Sequence, residues 1–397
     1  KGLAGIVRGE ESCTGGVRDF LINPAKYLKP VREWVYMPPP RIFVDEDDWP
    51  EVAAGLIDRG ICEPFPLKDV IRVDGKPMVG GLFGVPKNEN VDGVDVLRLI
   101  MDLRPVNSMF QSIVGDMSTL PMLSQLQPLE LYPNETLLIS SEDIKAMFYV
   151  VSLGSVWRPL LCFGRVLPPE LSPDPHEEYV LSSLVLPMGF INSVAVAQAL
   201  HRGIVHAAMD KHKVSRSFEI RRDQPLPQES LGYRIYLDNF DLLRRTNPEA
   251  ASLLDGTLDP LAGALREEYS RHKVPRNLKK SAESQLVAEV QGAVVDGVQG
   301  IIYPKLEKVG RYFKAAYHLL KSERCDLKRM QVTLGGFNYL FSFRRPLMSI
   351  FNESWTFTAS FEVNMRLWQP IPNEVKEELF AALSLSLLAF MDIRMPY

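Results

Sequence analysis

Cysteine is scarce: Cys13, Cys62, Cys162 and Cys325 are the only four in 397 residues. They are too dispersed for a disulfide-stapled scaffold and lack the paired spacing of a zinc site, so free thiols in a reducing compartment are expected. Long apolar runs are also missing. The longest, Leu379 to Met391, is interrupted by two serines and preceded by Glu377 and Glu378, and it falls short of the roughly 20 residues of a membrane span. It reads as a buried helix. No charged-then-apolar leader is visible, and no repeat of fixed period. Nor is one sign of charge in excess: 45 Lys and Arg stand against 49 Asp and Glu, a formal −4. That balance is nearly neutral about nucleic acid, because a cleft needs only a local basic lining. A cytoplasmic or nuclear protein with no membrane partner is expected. Opening on Lys1 rather than Met, the sequence reads as a region of something longer.

What is present is ordinary globular material, 46% hydrophobic and 24% charged, long enough for two or three subdomains with real cores. Residues 1–40 mix Gly, Pro and basic residues up to "MPPPR" and read as an extended strap. In "DDWPEVAAGLIDRG", Asp48 is placed to cap, Pro50 suits a first turn, Val52, Leu56 and Ile57 form a stripe, and Gly60 stops the helix. Strand-like "GGLFGVPK" and "VLRLIMDLR" flank a polar turn, which predicts a hairpin. "TLLISSEDIKAMFYVVSL" reads as a buried strand running into a helix or turn, and "GFINSVAVAQALHRGIVHAAMD" has helical spacing. A basic, Pro-containing loop leads to "YRIYLDNFDLLRR", a strand entering a hairpin turn. A helix over "LDPLAGALREEYSRHKV" follows, then a strand pair around "DGVQG" and a mostly helical C-terminal third from "PKLEKVGRYFKAAYHLLK".

"SSEDIKAMFY", "LPMGFINSVAVAQ" and "YLDN", in that order, resemble the palm motifs of reverse transcriptases, especially those of retrotransposons. Upstream "FGVPK" and "RLIMDLRPVN" look like the fingers hairpin. Downstream, "NLKKSAESQLVAEVQGAVVDGVQGIIYPKLEKV" is similar to the lysine motif and the primer-gripping hairpin. The resemblance spans roughly residues 45 to 395. It implies an α+β right-hand polymerase whose antiparallel palm sheet packs on helices. Residues 1–40 would be an N-terminal strap, 41–134 fingers with the start of the palm, 135–152 palm, 153–187 a fingers insertion, 188–300 palm, and 301–397 a helical thumb or connection. The last apolar stretch resembles the link before a ribonuclease H domain. Ribonuclease H and integrase or recombinase regions are expected elsewhere on the same polyprotein.

The implied chemistry is nucleotidyl transfer from dNTPs to a primer 3′-hydroxyl on an RNA or DNA template. Two Mg²⁺ ions, with Mn²⁺ as an alternative, would be held by carboxylates converging from separate strands. Asp143 and Asp238 match those carboxylates, with Ile144 beside them in the metal shell; read alone, Asp143 is equally a cap or a solvated strand end. Glu142 points to the opposite face if the segment is a strand. Phe148 matches the aromatic that bars a 2′-hydroxyl, or else is a core phenylalanine. Lys87 and Arg98 match the triphosphate-gripping basic residues, and Asp102 and Arg104 buttress the same motif. Gly189 would let backbone approach the nucleotide, Met188 stands where the family often has Gln, and Tyr236 enters the hairpin beside the substrate. Gln198 and Ser193 match template contacts, against an exposed amide and a helix cap. Lys280, with Lys279 one register away, matches the general acid for pyrophosphate, and Gly292 the turn that holds the primer end.

Asn239 departs from the pattern, since a second carboxylate is expected there. An amide oxygen can enter a metal shell but brings no charge, so a weakened metal site is expected. Asp241 is a possible substitute, or a solvated charge. Two alternatives stay open: a non-catalytic nucleic-acid-binding relic, and RNA-templated RNA synthesis, which Phe148 disfavours.

Overall fold

The first part of the segment expected to form an extended strap instead enters the core, with Val7, Cys13, Val17, Phe20 and Leu21 buried, whereas residues 34–40 have neither helix nor strand. The structure, a computed structural model, describes residues 2–91, 93–361 and 367–395. Gly15–Ile22 is a helix (α1) with Val17, Phe20 and Leu21 buried. That spacing of i, i+3 and i+4 puts all three on one face. Phe20 meets Tyr27, Phe110, Trp157 and Phe190 at ring-centroid distances of 5.0–6.2 Å. The Gly and basic content that suggested a strap lies between short buried pieces, too brief for periodicity to announce.

Trp49–Asp58 (α2) is helical as its stripe predicts, with Pro50 in the first turn, although Asp48 makes no side-chain cap. The expected hairpin forms from Gly81–Val91 (β1) and Val94–Asp102 (β2), paired from Gly81–Asp102 out to Val91–Val94. Strands Cys62–Pro66, Tyr179–Ser183 and Cys162–Phe163 form one three-stranded sheet, so segments far apart in sequence interleave.

The central sheet is built on Thr136–Asp143 (β3), every residue of which is buried. Such a strand is covered on both faces, which is why it reads as a run rather than an alternation. On one side pack Ser193–Lys211 (α3) and, later in the chain, Pro260–Arg271 (α4). The partners of β3 are Leu231–Tyr236 (β4), Asn239–Thr246 (β5) and Ala282–Gln285 (β6), in the order β4-β5-β3-β6, all antiparallel.

A second sheet comprises Val287–Val290 (β7), Ala293–Asp296 (β8), Ile301–Pro304 (β9) and Met391–Asp392 (β10). A shared core that includes Leu137, Ile139, Val290, Val295 and Ile302 joins it to the central sheet. Leu306–Lys321 (α5), Leu327–Phe341 (α6) and Asn373–Leu385 (α7) pack round their own core. Pairing of β10 with β9 ties the end of this helical region back to the second sheet. The run expected to be a buried helix is amphipathic: Leu379, Ala382 and Leu383 are buried in α7, while Phe380 and Leu387 are exposed. No helix among the described residues is long and apolar enough to cross a membrane.

Candidate active site

The turn between β4 and β5 consists of Leu237 and Asp238 alone, because Tyr236 pairs with Asn239. Leu237 takes the left-handed backbone (φ 53°), which a non-glycine residue adopts at a cost of about 1–2 kcal/mol. Asn239 lies opposite Asp143 in the β5–β3 register, and the N–H of Ile144 donates to the Asp238 carbonyl at 2.8 Å. Sheet pairing thus brings Asp143, the last residue of β3, and Asp238, in the β4–β5 turn, together. Burial holds the Asp238 carboxyl above the usual carboxylate range, the charge of Asp143 adds to this, and Lys280 and Arg98 oppose it.

Each carboxylate already has polar neighbours. Asp143 accepts from Asn277 Nδ2 at 2.9 Å and from Lys280 Nζ at 3.0 Å. Asp238 Oδ1 accepts from Asn239 Nδ2 at 2.9 Å. The lysine that reaches the acidic pair is therefore Lys280, not Lys279. Glu142 faces away, as strand alternation requires, and is almost fully buried. It accepts from Arg266 at 2.6 Å, twice from Arg276 at 2.8 and 2.9 Å, and from Ser281 at 3.1 Å. Anchoring Arg276 and Ser281 fixes both ends of the segment that delivers Asn277 and Lys280 to Asp143.

Gln198 is not a template contact. Its side chain is fully buried, donates to the Ile235 carbonyl at 2.9 Å and accepts from the Leu237 N–H at 2.8 Å, bracing the acidic turn from α3. Ser193 likewise turns inward, its hydroxyl donating to the Pro187 carbonyl at 2.7 Å. Asp241 is neither a substitute ligand nor a solvated charge. It is buried, accepting from Arg234 at 3.0 and 3.1 Å and from Ser141 at 2.8 Å.

Gly189 is required, but for a protein neighbour. At φ +106° a Cβ there would sit 2.2 Å from the Met101 carbonyl oxygen, so the glycine lets the turn dock on β2. The Met188 carbonyl accepts from the Met101 N–H at 3.1 Å. Asn107 bridges the same turn, donating to the Gly189 carbonyl and accepting from the Ile191 N–H, both at 2.9 Å. Arg98 and Lys87 are exposed on the β1–β2 hairpin, and Lys87 pairs with Glu89 at 2.9 Å. Glu89 is held below the usual carboxylate range first by Lys87, with Lys280 and Lys279 adding. The hairpin's charges thus face the lysine motif and the acidic pair. Phe148 is half-buried against the main core, and Tyr236 is partly exposed at the hairpin tip. Gly292 has φ +82° in the β7–β8 turn, where Tyr339 of α6 donates to its carbonyl and a Cβ would crowd Lys308 of α5.

Among the described residues no three His, Cys, Asp or Glu side chains gather as a metal-binding group. The acidic pair still fits a hard divalent cation, since carboxylate oxygens suit Mg²⁺ or Mn²⁺ and the like-charge pressure on Asp238 is what such a cation relieves. The residues that would hold it are Asp143 and Asp238, with Ile144 adjoining. Sequence reasoning did not single out Asn107, Asn277, His201 or Tyr269. Asn107 and Asn277 lay inside recognised motifs, but a lone amide carries no spacing signal.

No family model matches the sequence, and no curated protein matches it. Solved structures do. The fold is similar to the foamy viral protease-reverse transcriptase dRH in complex with double-stranded DNA, at 17% identity and TM-score 0.57, covering 92% of this chain and 51% of that one. The foamy viral protease-reverse transcriptase in complex with an RNA/DNA hybrid gives 17% identity and TM-score 0.54, covering 91% and 40%. With double-stranded DNA it gives 18% and 0.53, covering 91% and 63%. The chain has a reverse-transcriptase-like fold and spans less than two thirds of each of those chains.

Proposed function

We propose that this chain is the polymerase region of a reverse transcriptase from a retrotransposon-type element. It would extend a primer 3′-hydroxyl with dNTPs on an RNA or DNA template, its β3–β6 sheet acting as the palm of a right hand. The observation that carries this reading is the meeting of Asp143 and Asp238, with Lys280 and Arg98 facing them, inside a reverse-transcriptase-like fold. The foamy viral chains of similar fold are complexes with double-stranded DNA or an RNA/DNA hybrid, which supports nucleic acid as the partner here.

In the reaction the 3′-hydroxyl oxygen bonds to the α-phosphorus, the bond to the pyrophosphate breaks, and the hydroxyl proton leaves to solvent. Bound Mg²⁺ supplies Lewis-acid activation of the hydroxyl and charge neutralisation on the leaving group. Asp143 and Asp238 hold the negative charge that places it. Arg98 and Lys87 offer fixed positive charge to the triphosphate, and Lys280 carries a proton suited to the departing pyrophosphate. Phe148 excludes a 2′-hydroxyl by bulk. Asn239 favours a second reading, a nucleic-acid-binding relic. Primer extension in Mg²⁺ and in Mn²⁺ separates the two: template-dependent extension in either metal supports the enzyme, and duplex binding with no extension in both supports the relic.

A further inference from the structure

Leu237 has both of its backbone polar groups held from beneath by α3. Its N–H is taken by Gln198 Oε1 at 2.8 Å, and its carbonyl lies 2.6 Å from His201 Nδ1. The two side chains are three residues apart and share a helix face. His201 is fully buried, and its Nε2 lies 2.6 Å from the hydroxyl of Tyr269 on α4, itself fully buried.

A carbonyl can only accept, so Nδ1 carries the hydrogen. In a neutral ring Nε2 then has only a lone pair, and the Tyr269 hydroxyl is its donor. Burial keeps the ring neutral, its pKa pushed down to about 4. The chain Tyr269 to His201 to Leu237 therefore has one direction and one tautomer.

Two polar side chains buried in a core are costly unless their bonds serve something. Here they end on one backbone carbonyl, in a strained residue, immediately before a candidate metal ligand. We propose that His201, oriented by Tyr269, is a positioning residue that sets the Leu237 backbone and so presents Asp238 to the metal. The inference rests on the polymerase reading above only for naming the reaction; the metal-binding arm of its test does not need that reading.

Two isosteric replacements separate positioning from packing. In His201→Asn the amide nitrogen occupies the Nδ1 place, keeping the bond to Leu237 and losing the one to Tyr269. In His201→Gln the amide lies at the Nε2 place, keeping Tyr269 and losing Leu237. Each forfeits one buried hydrogen bond, so a purely structural histidine predicts equal damage. Mn²⁺ binding to the free chain, read by electron paramagnetic resonance, should stay within about threefold of the parent in His201→Asn and weaken at least about tenfold in His201→Gln, at similar urea midpoints in the two variants. Equal weakening in both, or none in either, overturns the proposal. ¹⁵N chemical shifts of His201 in the unmodified chain need no variant: a neutral ring protonated at Nδ1 supports it, and protonation at Nε2 overturns it. A parent that binds Mn²⁺ but fails to extend a primer sinks the polymerase reading and leaves this comparison standing. A parent that binds no Mn²⁺ sinks both.

Discussion

Asn239 donates its side-chain amide to Asp238 Oδ1 at 2.9 Å while its backbone pairs opposite Asp143. The residue that lacks the second carboxylate thus supports the first, partly offsetting a buried charge that the neighbouring aspartate repels. Asn239→Asp should exchange that support for a third negative charge. Without metal the variant should lose about 1 kcal/mol of unfolding free energy in EDTA, since like charges at close quarters disfavour the ionised forms. With metal it should reach half-maximal extension at lower Mg²⁺, while the parent prefers Mn²⁺. Superimposed Mg²⁺ titrations for the two proteins would place Asn239 outside the metal shell.

Glu142 and Lys280 should separate stability from rate. Glu142→Ala strands Arg276 beside a buried site and leaves Arg266 with Glu283 alone, which should cost about 3 kcal/mol and lower extension, because the Asn277–Lys280 segment loses its anchor. Lys280→Ala removes a largely exposed side chain and should cost at most about 1 kcal/mol while still lowering extension. Urea unfolding beside primer extension checks both, and equal stability losses would contradict the division of roles.

Much of the fold was legible because its signals are local. The β1–β2 hairpin, the buried strand β3, the helices α2, α3 and α4, and the turn at Asp238 follow from alternation, helical stripes and turn residues. The burial of residues 7–22 was missed because short helices whose burial depends on distant partners such as Phe110 and Trp157 leave little periodicity. Gln198 and Ser193 show a second limit: motif spacing told which helix they occupy, but only packing tells that both turn inward. Gly189 was rightly singled out as needing room, yet the neighbour that demands it is Met101, eighty-odd residues away on another strand. Asp241, a buried partner of Arg234, looks in sequence like any charged residue near a turn.

Phe148 lies five residues beyond Asp143 and packs half-buried against the main core. Phe148→Val should raise kcat/KM for a ribonucleotide relative to its deoxy partner by about tenfold or more, as expected when a filter based on bulk is opened. An unchanged ratio would mean that the ring serves the core alone.

His201 predicts a pH dependence of stability. Its folded pKa, about 4, lies below the ordinary 6.5, so between those values the unfolded chain takes up a proton that the native chain refuses. The stabilisation is complete above pH 6.5 and is lost as the pH falls toward 4, by roughly 3 kcal/mol. Tyr269, the titratable group that faces the ring, has its own pKa raised well above 10 by burial and stays neutral throughout. Urea unfolding from pH 7 to pH 4 should show the parent losing more stability than His201→Asn. A parent–variant difference constant across that range would contradict it.

The acidic pair itself is tested by Asp143→Ala and Asp238→Ala, assayed together for primer extension and for duplex binding. Affinity for the duplex comes mainly from phosphate contacts by basic side chains elsewhere, whereas the carboxylates act through metal in the transition state. Each variant should bind primer-template within about threefold of the parent and extend it at less than about a hundredth of the parent rate. Extension above that level by either variant would contradict the assignment of Asp143 and Asp238 as the metal-holding pair.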